Sequence, residues 1–187
     1  MCGGTGTQDT VPAIGRIDPA LLASPLDYIE AENNRRRVVL AQLESFIRGL
    51  PAQARARLAP ALRQYLAIDL RDHVDDLDKD LLPLLGRRCM PEDGIAPVCA
   101  ALREAHATGL GMASGIAGEL SELAVARKSL GDRFAAAVAS FIAVQRRDLL
   151  AETDMVLPLA RARLGRGDLR RLSRAMARRR GVAAKED

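Results

Sequence analysis

Two stretches of this chain place side chains suited to holding a cation at helical spacing. The first is Asp72 to Leu85, DHVDDLDKDLLPLL, and the second is Arg147 to Ala160, RDLLAETDMVLPLA. Laid over one another, Pro83 falls on Pro158, Leu82 on Leu157 and Leu84 on Leu159. His73 then coincides with Asp148, and Leu77 with Glu152. A histidine or carboxylate at i and a carboxylate at i+4 stand one above the other on a helix face. In the core of a helical bundle that spacing builds metal sites. Leu77 can ligate nothing, so the spacing is intact while the donor set is reduced.

Capping signals and apolar seams outline the helices that must carry these residues. Residues 1–23 read as a flexible N-terminal segment in which Asp18 to Leu22 forms a short helical turn. Ser24 as cap, Pro25 in the first turn and Asp27 in a capping-box pattern start the first helix, and Gly49 and Pro51 stop it. Its seam, Leu26, Ile29, Leu40, Leu43 and Ile47, is broken by Asn33 and by Arg36 or Arg37. The second helix is expected to begin between Pro51 and Pro60, with Pro60 marking its regular start, and to end near Gly86, with a kink at Pro83. Its seam is Leu62, Leu66, Leu70, His73, Leu77, Leu81 and Leu84, with His73 the polar member. Asp69, Asp72, Asp75, Asp76 and Asp78 surround that seam and read as a solvated face.

The third helix spans roughly residues 97–127, with Asp93 a candidate cap before it. Its seam is Val98, Leu102, His106, Gly109, Ala113, Ile116, Leu120 and Leu123, again with one histidine. Gly109, Gly111, Gly115 and Gly118 each cost about 1 kcal/mol against alanine in mid-helix, which implies close helix approach or local softness. Ser129 to Asp132 signals the start of a fourth helix, which runs to about Leu164. Its seam is Phe134, Val138, Phe141, Gln145, Asp148, Glu152, Met155 and Leu159. Past Gly165 and Gly167, Asp168 caps a short arginine-rich helix, and residues 182–187 read as a frayed tail.

Four helices joined by short connections imply an all-α, antiparallel up-down four-helix bundle with a short C-terminal helix, spanning residues 24–181. Each seam is interrupted near mid-helix, at similar depth. Asn33, His73, His106, Asp148 and Glu152 are therefore expected to converge inside. Buried polar groups left unpaired are costly, so these must bond each other, water or a cation.

Composition narrows the function classes. The chain has 187 residues, aromatics at 3% and no tryptophan, so leucine and alanine must fill a single core. The net charge of +4 owes much to the stretch from Arg163 to Arg180. It carries no basic stripe interleaved with aromatics and no groove-reading motif, so a nucleic-acid partner is not expected and an unidentified protein partner is allowed. The arginine tail is read as packing on the bundle end and solvating itself, the alternative being an anionic contact with a partner or nucleic acid. Cys2, Cys89 and Cys99 form no CxxC and no disulfide framework, which fits a reduced, cytoplasmic setting. The first residues lack secretory features, and no apolar run reaches membrane-spanning length, so no membrane association is expected. No nucleophile–base set, phosphate loop or dinucleotide fingerprint is present, so no enzymatic activity is expected.

From about Pro25 to Gly181 the chain resembles bacterial hemerythrin-like proteins of the HHE cation-binding family. The segments that carry the resemblance are PLDYIEAENNRRR, DHVDDLDKDLLPLLGRRC, LREAH, QRRDLLAETDMVLPLARARL and DLRRLSRAMARRRG. The resemblance implies a four-helix bundle around a non-haem di-iron centre, with roles in oxygen binding, redox or oxygen sensing, or iron handling. In that pattern a histidine stands where this chain has Asn33, a glutamate where it has Leu77, and a histidine where it has Asp148. His73, His106 and Glu152 match. The implied metal set is thus His73, His106, Glu152, Asp148 and Asn33. It would hold at best one non-haem iron or other divalent cation. The alternative is a metal-free bundle acting as an interaction or structural module, with the two histidines bonded to Asp148 and Glu152.

Overall fold

The computed structural model describes residues 14–126 and 131–182. Residues 1–13 with Cys2, residue Arg127, the Ser129 signal and the tail from residue 183 lie outside the described residues, so the expectations for them have no structural counterpart here.

The described residues are helical, with no strand among them. Asp18 Oδ1 accepts the Ala20 N–H at 2.8 Å and starts a 3-10 turn over Pro19–Ala23. Helix α1 follows at Pro25–Arg48. Ser24 sits at its N-cap but makes no side-chain bond there; its carbonyl accepts the Asp27 and Tyr28 N–H groups, each at 3.0 Å. Gly49 ends α1 at φ 121°, a backbone conformation that L side chains rarely adopt.

Helix α2 occupies residues 52–88; it begins at Ala52, within the expected range, and is already regular before Pro60. Pro60 is accommodated inside the helix. Helix α3 is Ile95–Ala126. Asp93 does not cap it; its carboxylate accepts the Met90 N–H at 2.8 Å in a 3-10 turn and pairs with Arg163 at 2.6 Å. Helix α4 covers residues 132–163, and α5 is Arg166–Arg179. Helix α3 packs along α2 and α4, and α1 along α4.

The two sequence copies share a backbone device. In α2 the turn Asp76–Leu81 is π-helical and α-helix resumes at Leu82; in α4 the turn Glu152–Val156 is π-helical and α-helix resumes at Leu157. Proline lacks an N–H, and its ring crowds the carbonyl four residues back. For Pro83 and Pro158 those carbonyls belong to Lys79 and Asp154, each inside a widened turn. The wider turn absorbs the crowding. It also shifts the helix face: Met155, expected on the seam, is 38% exposed, while Val156 and Ala160 point inward at 0%.

Two apolar clusters form, one at each end. The first gathers Leu26, Ile29, Leu77, Leu81, Leu85, Leu102, Val156 and Leu157. The second gathers Leu40, Leu43, Phe46, Leu62, Leu70, Ile116, Val138 and Phe141. On α1, α3 and α4 most of the buried polar residues fall between the two: Glu32, Asn33 and Arg36; His106; Gln145, Asp148 and Glu152; Gln42 of α1 lies beside the second cluster. On α2, His73 stands where one cluster gives way to the other.

Of the mid-helix glycines in α3, one has a tight neighbour. A Cβ on Gly109 would meet Gln145 Nε2 at 2.8 Å, whereas Gly111, Gly115 and Gly118 have nothing within 4 Å. Gly115→Ala is therefore expected to stabilise the protein by about 1 kcal/mol. Gly109→Ala should give no such gain, because the propensity term is offset by displacing the hydrogen-bonded Gln145. Urea unfolding of the two variants decides; equal gains at both positions would refute the close-approach account.

Helix α5 corrects the reading of the aspartate face. Asp76 is 0% exposed and receives both Arg179 and Arg180, the latter at 2.6 Å and 3.1 Å. Arg179 also pairs with Asp80 at 2.6 Å, and Arg180 donates to the Tyr28 hydroxyl at 3.0 Å while lying over its ring at 4.7 Å. At the other end of α5, Arg88 holds Asp168 in a two-pronged pair at 2.9 Å and 3.0 Å. Leu172, Met176 and Ala177 lie between and enter the first apolar cluster. The face read as solvated is thus partly the seat of α5. The α-helical interval of two carboxylates and the two consecutive arginines were visible separately; only the fold joins them.

Candidate functional site

The polar layer centres on Glu152, the first residue of the π turn in α4 and fully buried. Arg36, from the middle of α1 and 1% exposed, donates from Nη2 to Glu152 Oε2 at 2.6 Å. The same guanidinium donates to Asn33 Oδ1 at 3.1 Å and, from Nη1, to Gln145 Oε1 at 3.4 Å. Gln145 Nε2 in turn donates to Asp148 Oδ2 at 3.2 Å. His73 Nε2 stands 3.3 Å from Glu152 Oε2. His106 Nε2 stands 3.5 Å from Glu152 Oε1, an ion contact with looser geometry, and its Nδ1 is held by Asp78 Oδ1 at 2.7 Å.

The five sequence-derived site residues thus meet in one layer. His73 and His106 approach different oxygens of Glu152, Asn33 is joined to it through Arg36, and Asp148 through Gln145 and then Arg36. Among the described residues, no three His, Cys, Asp or Glu side chains are grouped so as to hold a metal ion. The residues do not fit a two-iron centre. Leu77, where the second copy has Glu152, is 0% exposed in the apolar cluster, and a guanidinium stands among the oxygen donors.

The charges are strongly coupled. Burial alone would raise the Glu152 pKa, but Arg36, with His106 and His73, holds it well below the usual carboxylate range. Burial raises Asp148, against the pull of His106 and Arg36. It also raises Glu32, which has to share Arg35 with Asp69: Arg35 lies 3.5 Å from Glu32 and 2.5 Å from Asp69. Burial would lower the His106 pKa, yet Asp78 and Glu152 carry it up to about 9.

These directions set a pH dependence. A histidine raised in the folded state lends stability that is fully present below its unfolded pKa, about 6.5, and is lost as pH rises through about 9. Glu152 acts oppositely: its depressed pKa lends stability above the ordinary glutamate range, lost as pH falls below it. The His106 contribution should therefore make the urea midpoint lower at pH 9.5 than at pH 6, and Asp78→Asn should shrink that difference. A His106 ring titration by NMR with a midpoint near 6.5 would overturn this account.

Sequence reading missed several members. Arg36 was one of two candidates for the gap in the first seam; its place seven residues beyond Ile29 is what turns it inward, while Arg37 is exposed and bonds Asn34 and Thr153. Gln145 was on a seam without a role. Glu32, Asp78 and the buried Tyr65 carried no signal, since their helices offered no way to tell inward from outward before packing was known. Cys99 is buried and Cys89 half-buried, both as free thiols. No helix of the described residues is long and apolar enough to cross a membrane.

No protein-family model matches this chain, and neither a curated protein nor a solved structure matches it.

Proposed function

We propose that this chain is a hemerythrin-like, antiparallel up-down four-helix bundle whose central cation is its own Arg36, and that it serves in the cytoplasm as a metal-free interaction or structural module. The observation that carries this reading is the 2.6 Å pair between Arg36 and Glu152, with side chains 1% and 0% exposed. A buried carboxylate at the heart of a bundle needs a positive partner. In the family that the sequence resembles, metal supplies it; here a tethered guanidinium does, and Leu77 fills the place of a bridging carboxylate with packing.

A second reading is a reduced site for one divalent cation on His73, His106, Asp148 and Glu152. It is favoured by the way both histidines present Nε2 to Glu152, with His106 oriented by Asp78, as outer carboxylates orient ligating histidines.

Thermal melting separates the two. Under the first reading, anaerobic ferrous iron or zinc at a hundredfold excess leaves the melting temperature unchanged, and elemental analysis finds far less than one metal per chain. Under the second, either ion raises stability, by about 2.7 kcal/mol at a hundred times its dissociation constant. That result would displace the Arg36 account.

A further inference from the structure

The arginines from Arg166 to Arg180 comprise an engaged pair, an outer row of four, and Arg171, which is exposed beside that row. Arg179 and Arg180 are partly buried and engaged with Asp76, Asp80 and Tyr28. Arg166, Arg170, Arg174 and Arg178 recur at every fourth residue, and all four are exposed. None of these four has an ion-pair partner among the described residues. Neighbouring carboxylates are already occupied: Asp168, the one acidic residue of α5, by Arg88, and Asp75 and Asp80 by Arg179. The row advances about 6 Å per arginine and runs about 18 Å along the helix.

Like charges four residues apart work against a helix. Helix α5 is held in place by its inner face, so the outer row adds nothing to the fold. The chemistry of that face selects its partner. The exposed large apolar side chains of the described residues are Ile68, Met90, Leu150 and Met155, and none of them lies on α5. A protein interface would need an apolar centre there. A membrane-surface helix would need an outward apolar face, but Leu172 and Met176 are spent on the core. A polar, strongly cationic surface without apolar contacts is what phosphate-backbone recognition uses.

We infer that the outer face of α5 docks on the phosphate backbone of nucleic acid without reading its sequence. This departs from the expectation drawn from the sequence. That expectation rested on missing aromatics and groove-reading motifs, which serve base readout, whereas phosphate contacts need neither.

The test is fluorescence anisotropy with a labelled 20-base-pair duplex of arbitrary sequence, using the full chain. Binding is expected in the range of roughly 10⁻⁶ to 10⁻⁴ M at physiological salt, and it should weaken about 150-fold between 50 mM and 200 mM if four phosphates are neutralised. The quadruple variant Arg166→Gln, Arg170→Gln, Arg174→Gln and Arg178→Gln should lose binding while keeping its far-UV spectrum. A control with the same charge change elsewhere, Arg57→Gln, Arg63→Gln, Arg71→Gln and Arg133→Gln, should keep it. If the quadruple variant does not fold, Arg170→Gln or Arg174→Gln alone should each reduce the salt slope by about one. The inference is overturned by no binding at 50 mM salt or by undiminished binding in the α5 variants. Equal loss in the control, meaning net charge alone, also overturns it. So does tighter binding to phosphatidylcholine–phosphatidylglycerol vesicles or to polyglutamate than to the duplex.

Discussion

Arg36→Met is expected to destabilise the protein by about 3–5 kcal/mol, the cost of leaving one member of a buried ion pair without its partner. Methionine is close to arginine in length and reasonably mobile, so the loss of packing is kept small and the effect reads mainly the stranded Glu152. The double variant Arg36→Met, Glu152→Gln should recover much of that loss, because the carboxylate charge goes with the guanidinium. The recovery will be incomplete, since Asn33 loses Arg36 and the two histidines lose the charge of Glu152. Urea unfolding of wild type, both single variants and the double variant gives the coupling directly. Additive losses would mean that Arg36 and Glu152 do not act as a pair, and the reading of Arg36 as the resident cation would fall with them.

Removing both Arg179 and Arg180 by alanine substitution should cost a similar amount, about 3–5 kcal/mol, because Asp76 is 0% exposed and depends on both. A further part of the loss comes from the Tyr28 ring, over which Arg180 lies. Asp76→Ala added to that double variant should restore stability in part. If the doubly substituted protein instead melts within about 0.5 kcal/mol of wild type, the range for ordinary surface changes, then α5 does not seal Asp76 in solution.

What the sequence made legible was the helical content and the apolar seams. Seams survive because inward positions on a helix repeat whatever the partner is: all seven residues proposed for α2, from Leu62 to Leu84, are buried. Met155 failed locally: beyond the π turn of α4 the inward positions are Val156 and Ala160, whereas the α2 seam stays buried through its own π turns at Tyr65–Asp69 and Asp76–Leu81. Pro83 and Pro158 held that information, as the same motif precedes both. The site residues His73, His106, Asp148 and Glu152 were found because polar residues on apolar seams are conspicuous. Arg36 was harder, as a long side chain can leave a seam by its stem and return its charge to water. Asp76 was hidden by its neighbours: in a run of five aspartates from Asp69 to Asp78, only the docking of α5 singles one out.

The two fastenings of α5 have a further consequence. Asp76 and Arg88 lie twelve positions apart on α2, and Asp168 and the Arg180 that caps α5 also lie twelve apart, so the pairs Arg88–Asp168 and Asp76–Arg180 are matched residue for residue on segments running in opposite directions. Two matched pairs admit one alignment. A slip of one turn, about 5.4 Å, would set Ala175 and Met176 against Asp76 and Leu164 against Arg88, leaving a buried carboxylate bare. Apolar surfaces such as those around Leu172 are poor at refusing near-misses of this size. The charges act as a vernier: two marks that agree at a single setting and penalise every other.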